Sequence, residues 1–170
     1  MPDEFDLEEL YDKHAQALYA FALDLTRNEA DTRDILQDLF IKVAHQPGIL
    51  KGVRQVRAYL LRLIHNAAID MMRRRATRAK YADGAANDAP EVFAPSNDAD
   101  EDCFRRALSE ALAELPIEQR TVVHLRLWEG MKFEEVADLL GLSLNTTASR
   151  YRYGMDKLRQ RLRPLYSEIK

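Results

Sequence analysis

Hydrophobic residues recur at every third or fourth position along most of the chain, which is the spacing of an amphipathic α-helix. In the N-terminal part this pattern covers residues 7–25, 35–43 and 56–75, so we expect three helices there. Asp31 is predicted to cap the second helix, with the acidic Asp34 three residues further on. Pro47, Gly48 and Gly52 mark a loop before the third helix. Three helices of this length can enclose one hydrophobic core.

The hydrophobic period disappears between residue 76 and about residue 102. Asp, Ala, Asn and Pro dominate this stretch, and its seven acidic residues face only two basic ones, Arg78 and Lys80. Its length exceeds that of an ordinary connection within one domain. We therefore predict an N-terminal domain over residues 1–76, a flexible acidic linker over 77–102 and a C-terminal domain over 103–170.

The helical period returns after this linker. Leu108, Leu112 and Leu115 share one helix face, and Pro116 suits the first turn of a second helix that Gly130 ends. A short helix over residues 133–140 and a long one beginning beyond residue 143 follow. No stretch shows the alternation of a strand, so the predicted fold class is all-α. It consists of two small helical domains, an N-terminal bundle and a C-terminal helix-turn-helix bundle, joined by the linker.

Residues 133–143 have the features of a helix-turn-helix. Small Ala137 permits close helix crossing, Gly141 can take the left-handed conformation of a tight turn, and Ser143 can cap the next helix. Lys132 stands where a capping Ser or Thr is expected, so the first helix is predicted to lack its cap. An αα-hairpin that serves only packing is the alternative interpretation.

A recognition helix places its outward N-terminal residues against the base edges of the major groove. We expect Thr147 and Tyr151 on the buried side of the last helix, and the pattern leaves Tyr153 open. Arg can bind guanine through two hydrogen bonds, and Ser and Thr hydroxyls can bind phosphates or bases. The candidate DNA-contacting residues are Asn145, Thr146, Ala148, Ser149, Arg150, Arg152 and Tyr153.

The net charge of −3 conceals a segregated distribution. Residues 1–40 carry eleven acidic side chains against three basic ones. Residues 54–80 carry eight basic side chains against Asp70 alone, a local charge of +7. This asymmetry favours an anionic partner on one surface and a different partner elsewhere. A solvated helix that happens to be basic is the alternative.

The third helix combines arginines with an aromatic and an amide side chain, which suits a nucleic acid whose bases are exposed. Arginines can neutralise phosphates, while Tyr59 can stack on an unpaired base. The alternative is a wet basic face with Tyr59 half-buried. The candidate residues are Arg57, Tyr59, Arg62, Asn66, Asp70, Arg73, Arg74 and Arg75.

Several classes of function find no support in the sequence. The single Cys103 excludes a disulfide framework and a cysteine-rich zinc site, and the four histidines lack ligand or triad spacing. We therefore expect no enzyme activity, no cofactor and no metal. The N-terminus lacks the order of a secretion signal and no apolar run is long enough to span a bilayer, so a cytoplasmic protein is expected.

Four segments together resemble the extracytoplasmic-function (ECF) sigma factors, the small two-domain type of bacterial transcription initiation factor. They are "ADTRDILQDLFIKVA", "VRAYLLRLIHNAAIDMMRRR", "LAELPIEQRTVVHLRLWEGMKFEEVADLLGLS" and "SRYRYGMDKLRQRL". The resemblance covers nearly the whole chain apart from the linker and the termini. Their order and spacing, rather than any one segment, carry it.

The resemblance implies binding to core RNA polymerase and to promoter DNA, and it leaves open whether an anti-sigma factor also binds. In the family the second-helix segment docks on the clamp helices of the large polymerase subunit. Here Asp38 replaces the more usual Glu, and acidic side chains could pair with polymerase arginines. The corresponding residues are Asp34, Leu36, Gln37, Asp38 and Phe40.

For the two promoter elements the resemblance implies separate contacts. The loop over residues 45–55 and the third helix would read and open the −10 element, with Tyr59 where the family usually has Trp. The C-terminal module would read the −35 element. Ala148, Tyr153 and Met155 stand where the family often has basic residues, so Arg150 and Arg152 carry most of the positive charge.

Two other functions remain compatible with the residues. One is a dimeric regulator that uses only the helix-turn-helix, with the N-terminal bundle as a sensor or dimer interface. The other is an adaptor that mimics a sigma factor, titrates an anti-sigma protein and does not touch DNA. Neither would bind core polymerase: a pull-down with core enzyme tests the regulator, and a gel shift with holoenzyme tests the adaptor.

Overall fold

The computed structural model describes residues 6–79 and 98–168, with side chains as far as residue 165. The chain divides into two compact units, Met1–Asp88 and Ala89–Lys170. Within the described residues the regular structure is helical throughout, as seven α-helices and one short 3₁₀ helix. The predicted all-α fold class is confirmed.

Residues 6–79 of the first unit form a bundle of three α-helices. They are α1 (Leu7–Thr26), α2 (Glu29–His45) and α3 (Val56–Ala79), with a 3₁₀ helix (Pro47–Leu50) in the loop before α3. All three pack on one another. Their shared core contains side chains with no exposed surface, among them Leu18, Phe21, Val43, Leu60 and Ile64.

The turn between α1 and α2 corrects the predicted cap of α2. Asn28, not Asp31, is the N-cap, because Asn28 has extended backbone and its side chain accepts a 3.0 Å hydrogen bond from the Asp31 amide. The hydroxyls of Thr26 and Thr32 lie 2.8 Å apart and brace the same turn. Asp31 therefore lies within the first helical turn, where its negative charge interacts favourably with the positive end of the helix dipole.

Residues 98–168 of the second unit form four helices. They are α4 (Ala99–Glu114), α5 (Ile117–Leu127), α6 (Phe133–Leu140) and α7 (Leu144–Glu168). Helix α7 packs against the other three. After α5 ends, Gly130 takes the left-handed conformation (φ 64°) in the turn, close to where the sequence placed the end of that helix. The main core cluster is Ala111, Leu112, Leu115, Val123, Leu158 and Leu162.

Both helices that flank the predicted linker are longer than the hydrophobic pattern indicates. Helix α3 continues to Ala79, and α4 begins at Ala99 because the Asp98 side chain accepts a hydrogen bond from the Asp100 amide. Residues 77–79 and 99–102 of the predicted linker are therefore helical. Residues 80–97 of the predicted linker lie outside the described residues.

A buried arginine ties α5 to the end of α4. One guanidinium nitrogen of Arg120 lies within hydrogen-bond distance of the carbonyls of Leu112, Ala113 and Leu115. The last turn of a helix leaves most of its carbonyl acceptors without a helical partner, although the Leu112 carbonyl also accepts from the Leu115 amide at 3.1 Å. Arg120 is 6% exposed, so it stabilises the α4–α5 corner from within the core.

Gly154 allows α7 to approach α5 closely. A Cβ placed on Gly154 would lie 2.8 Å from Cγ2 of Val123, which is fully buried. We expect Gly154→Ala to destabilise the second unit by about 1 kcal/mol. Overpacking costs roughly 1–3 kcal/mol, and about 1 kcal/mol of helix propensity offsets part of it. Chemical unfolding of the full chain, followed by circular dichroism, measures the change.

The control for this prediction is Gln160→Ala, an exposed position on the same helix that should be nearly neutral. Adding Val123→Ala to Gly154→Ala should relieve the clash, so the two changes should be less than additive. A Gly154→Ala protein as stable as the wild type would show that α5 and α7 can separate without cost.

Within residues 6–79 and 98–168, no helix is both long enough and apolar enough to cross a membrane.

Candidate nucleic-acid interface

The turn between α6 and α7 has the geometry that the sequence predicts. Gly141 is left-handed (φ 67°, ψ 36°), and the Leu142 amide donates 2.9 Å to the carbonyl of Ala137. Ser143 caps α7, since its hydroxyl oxygen accepts from the Thr146 amide at 3.1 Å. Thr147 is fully buried, as expected. The helix-turn-helix is thus present, with α7 as its second helix.

The start of α6 differs in one respect from the prediction. Lys132 provides no side-chain cap, but the Glu135 carboxylate accepts a 2.8 Å hydrogen bond from the Lys132 amide. This is one half of the reciprocal bonding that a capping box makes. The N-terminus of α6 is therefore stabilised by the side chain of its third residue, Glu135, and not by the N-cap side chain.

A cation–aromatic cluster fixes α6 against α7. The rings of Phe133 and Tyr151 meet edge-on with centroids 5.3 Å apart, and the Arg126 guanidinium lies 4.4 Å from the Phe133 centroid. Arg126 also donates a 2.6 Å hydrogen bond to the carbonyl of Met131. Tyr151 packs against the core cluster and not outward, as predicted. Sequence reasoning missed Arg126, whose partners come from two other segments.

The predicted DNA-contacting residues of α7 differ in accessibility. Asn145, Thr146, Arg152 and Tyr153 are exposed, while Ala148, Ser149 and Arg150 are half-buried. The Arg152 guanidinium lies 5.2 Å from the Tyr153 ring centroid, which is within range of a cation–π interaction. The exposed part of α7 therefore presents both positive charge and an aromatic ring. Direct base contact by these residues stays a prediction.

Helix α3 brings five of the eight predicted residues onto one face. Spacings of three or four residues place Tyr59, Arg62, Asn66, Asp70 and Arg73 along a single stripe. Tyr59 is half-buried and the other four are exposed. We call these five residues the α3 stripe. Arg74 lies beside the stripe and is also exposed.

The other two arginines of α3 do not belong to this stripe. At about 100° per residue, Arg57 and Arg75 point to the opposite side of the helix. Arg75 makes a 2.6 Å ion pair with Asp31 of α2. In the free protein a carboxylate therefore already holds the Arg75 guanidinium, and phosphate contact by Arg75 stays a prediction.

Helix α3 also carries a histidine, His65. Burial lowers the pKa of His65, and a hydrogen bond with Asn66 opposes that shift. The imidazole is therefore neutral at neutral pH. The positive charge on α3 comes from its arginines alone.

The segment of α2 predicted to bind polymerase has an acidic outer face. Asp34, Gln37 and Asp38 are exposed, whereas Leu36 is only 8% exposed and packs inward. Phe40 is half-buried, with its ring 5.0 Å from that of Tyr11. Leu36 thus offers little surface to any partner. The polymerase contacts themselves stay predictions.

The sequence pattern missed Ile41 and Tyr11 beside this face. They are 47% and 53% exposed, so each offers apolar surface to a partner. Ile41 lies three residues after Asp38 and four after Gln37, so the helical period places it on the acidic outer face. Ile41 of α2 and Tyr11 of α1 therefore add exposed apolar surface near the acidic residues of α2.

Clustered ligands for a metal ion are not found in the described part of the chain, where no three His, Cys, Asp or Glu side chains converge. Cys103 is exposed at the start of α4.

Comparison with known proteins adds an independent line of support. The Sigma-70 region 2 model matches residues 10–78, and the model described as Sigma-70, region 4 matches residues 105–158. The first covers α3 and the acidic face of α2, and the second covers the helix-turn-helix. Each unit therefore contains its own family segment.

Whole-length relatives and solved structures agree with these matches. The ECF RNA polymerase sigma factor SigL of Mycobacterium tuberculosis is 30% identical, over 92% of this chain and 88% of its own. RNA polymerase sigma factor CarQ of Myxococcus xanthus is 32% identical, over 95% and 92%. CnrH, solved with the cytosolic domain of CnrY, gives a TM-score of 0.64 at 26% identity, over 93% and 88%.

A further solved structure supports the fold alone. The sigma factor RpoE of Bartonella quintana, solved with the anti-sigma factor NepR, gives a TM-score of 0.76 at 23% identity, over 92% of this chain and 96% of its own. The chain contains both family segments in order, and its relatives at 30% and 32% identity match it over almost their full length. These findings assign the family. The chain belongs to the ECF family of RNA polymerase sigma factors.

Proposed function

We propose that the protein binds core RNA polymerase and directs it to promoters, where it reads two DNA elements and helps to open the duplex. The observation that carries this proposal is the pair of exposed basic surfaces on separate units. One is the α3 stripe with Arg74, and the other is the outward side of α7. Each lies within its own sigma family segment.

Three parts of the chain would divide this work. Residues 1–76 would bind polymerase and the −10 element, residues 77–102 would connect, and residues 103–170 would read the −35 element. The acidic face of α2 suits a polymerase surface that carries arginines. Neither unit need bind DNA tightly, because tethering to polymerase raises its effective concentration at both elements.

Opening of the duplex needs a source of free energy within the complex. Unstacking costs a few kcal/mol per step. Tyr59 would offset part of this cost by stacking on an unpaired base. Arg62, Arg73 and Arg74 would add phosphate contacts along the single strand. The chain would supply specificity, while RNA synthesis would be the work of the polymerase.

A factor that works on bacterial promoters acts in the cytoplasm, where the chromosome is.

Regulation by a further protein is a separate question. RpoE of Bartonella quintana was solved with an anti-sigma factor. We infer that a protein of that class could also hold this chain away from polymerase.

Reconstitution with core polymerase tests the proposal. We expect the chain to co-purify with core enzyme and to direct transcription from discrete sites when genomic DNA is the template and transcript 5′ ends are sequenced. Core enzyme without the chain is the control. Failure to bind core enzyme would favour a helix-turn-helix regulator or a sigma-mimicking adaptor instead.

Arg150→Ala is expected to weaken recognition of the −35 element. A well-formed arginine–guanine contact contributes about 1–3 kcal/mol of discrimination, so preference at one base pair should fall roughly 5- to 150-fold. Run-off transcription from promoters varied at each −35 position measures it. Arg159→Ala is the matched control, because Arg159 is exposed further along the same helix, beyond the turn that enters the groove. Unchanged promoter preference would remove Arg150 from the interface.

A further inference from the structure

The last two turns of α3 extend beyond the hydrophobic core. Ala68 is the last fully buried residue of the helix, and Met71 and Met72 are half-buried. Every residue from Arg73 to Ala79 is exposed. A helix end with so little apolar packing opens easily unless something else holds it. The proposed phosphate contacts Arg73 and Arg74 lie in this weakly packed segment.

One polar contact joins this segment to the body of the bundle. Arg75 donates a 2.6 Å charge-assisted hydrogen bond to Oδ1 of Asp31, 44 residues earlier in the chain. The Asp31 side chain is 11% exposed and that of Arg75 is 48% exposed. Such bonds between ionised groups are about twice as strong as neutral ones. The pair is therefore able to restrain the helix end.

Asp31 is itself held in place. Its amide donates to the Asn28 side chain at 3.0 Å, and its neighbour Thr32 bonds both the Asn28 carbonyl and the Thr26 hydroxyl at 2.8 Å. The turn between α1 and α2 is thus a rigid frame. A carboxylate on a rigid frame can fix the direction of the side chain that it binds, and through it the direction of the helix end.

The position of Arg75 around the helix separates it from its two neighbours in sequence. Two residues correspond to about 200°, so Arg73 faces away from α2 while Arg75 faces Asp31. For Arg75 to reach a phosphate, it would have to leave the mostly buried Asp31 carboxylate without its cation. Leaving a buried charge unpaired is strongly unfavourable. The two arginines therefore have different roles despite lying in one run.

We propose that Asp31 and Arg75 form a clamp that orients the last two turns of α3, so that Arg73 and Arg74 face the DNA strand while Arg75 does not contact it. Asp31 is then a positioning residue for promoter DNA, although it touches no nucleotide. The DNA part of this statement rests on the proposed function. The clamp itself does not, and can be tested without DNA.

Hydrogen exchange of the full chain without DNA tests the clamp. Asp31→Asn and Arg75→Gln should each raise amide exchange over residues 73–79 several-fold. The double variant should exchange no faster than either single one, because both remove the same interaction. Arg75→Lys keeps the charge and should restore part of the protection. Arg74→Gln is the matched control and should leave exchange unchanged.

The salt dependence of DNA binding tests what Arg75 does. Affinity for a short single-stranded oligonucleotide is measured at several salt concentrations. Arg74→Gln should reduce the slope of log K against log salt by about 0.7, the value for one lost phosphate contact. Arg75→Gln should bind several-fold more weakly with the wild-type slope, because no phosphate contact is lost. Arg75→Lys should recover affinity.

Two results would overturn the clamp. One is wild-type exchange over residues 73–79 in both Asp31→Asn and Arg75→Gln. The other is a slope reduced by about 0.7 in Arg75→Gln, which would make Arg75 a phosphate contact like its neighbour. If the wild-type chain shows no salt-dependent binding to the oligonucleotide, the proposed DNA contacts of α3 are wrong. The hydrogen-exchange measurement alone then tests the contact between Asp31 and Arg75.

Discussion

Tyr59→Ala is expected to slow promoter opening by roughly 5- to 150-fold while leaving polymerase binding unchanged. Loss of one base–aromatic stack costs about 1–3 kcal/mol, which gives this range. Tyr59 heads the α3 stripe and is half-buried, so part of its ring is available while the rest anchors it. A preorganised ring of this kind captures an unpaired base without first losing its own freedom. Permanganate footprinting measures opening, and a pull-down with core enzyme measures binding.

Tyr59→Phe is the matched control for this prediction. It keeps the aromatic ring and removes only the hydroxyl, so opening should stay close to wild type. If Tyr59→Ala lowers footprint and pull-down equally, the residue serves the fold or the docking of polymerase and not the captured base. Thermal unfolding of the free variant separates these two outcomes.

Asp38→Lys is expected to weaken binding to core polymerase at least tenfold. Asp38 is exposed on the acidic face of α2, close to the exposed Ile41. Close charge pairs at protein interfaces have coupling energies of about 1.5–7 kcal/mol, and reversal adds repulsion to that loss. Competition against a labelled wild-type chain for core enzyme measures the change. The effect should shrink as salt rises, because the α2 face is open to solvent.

Glu110→Lys provides the control for charge. Glu110 is exposed on α4 in the second unit, and the substitution changes the net charge by the same amount. Equal weakening by both variants would mean that polymerase responds to overall charge and not to the α2 face. Asp38→Asn should fall between wild type and Asp38→Lys, since it removes attraction without adding repulsion.

Local features of this protein could be predicted from neighbouring residues. The hydrophobic period gave the helices and the all-α class, because a helix face needs only residues within a few positions. Gly141 and Ser143 gave the turn and the cap of α7, since both act through backbone groups no more than four residues away. The prediction of the α2 N-cap was wrong because Asn28 and Asp31 can both cap a helix. Arg27 has a left-handed backbone and Asn28 an extended one, so the helix begins directly after Asn28.

Helix ends in polar stretches were also missed. Asp98 starts α4 and Arg78 continues α3 although neither segment shows an apolar period, because capping and propensity extend helices where packing does not. An acidic composition alone did not distinguish these helical turns from a linker.

The amino-acid sequence by itself determined the helices, the helix-turn-helix and the separation of an acidic from a basic segment, since each depends on residues close together in the chain. Only the tertiary structure decided which charges are available. It pairs Arg75 with Asp31 across 44 residues, buries Arg120 against the end of α4, and requires Gly154 beside Val123. These roles depend on which helix faces meet, and a run of three arginines looks uniform until one of them is turned toward a carboxylate.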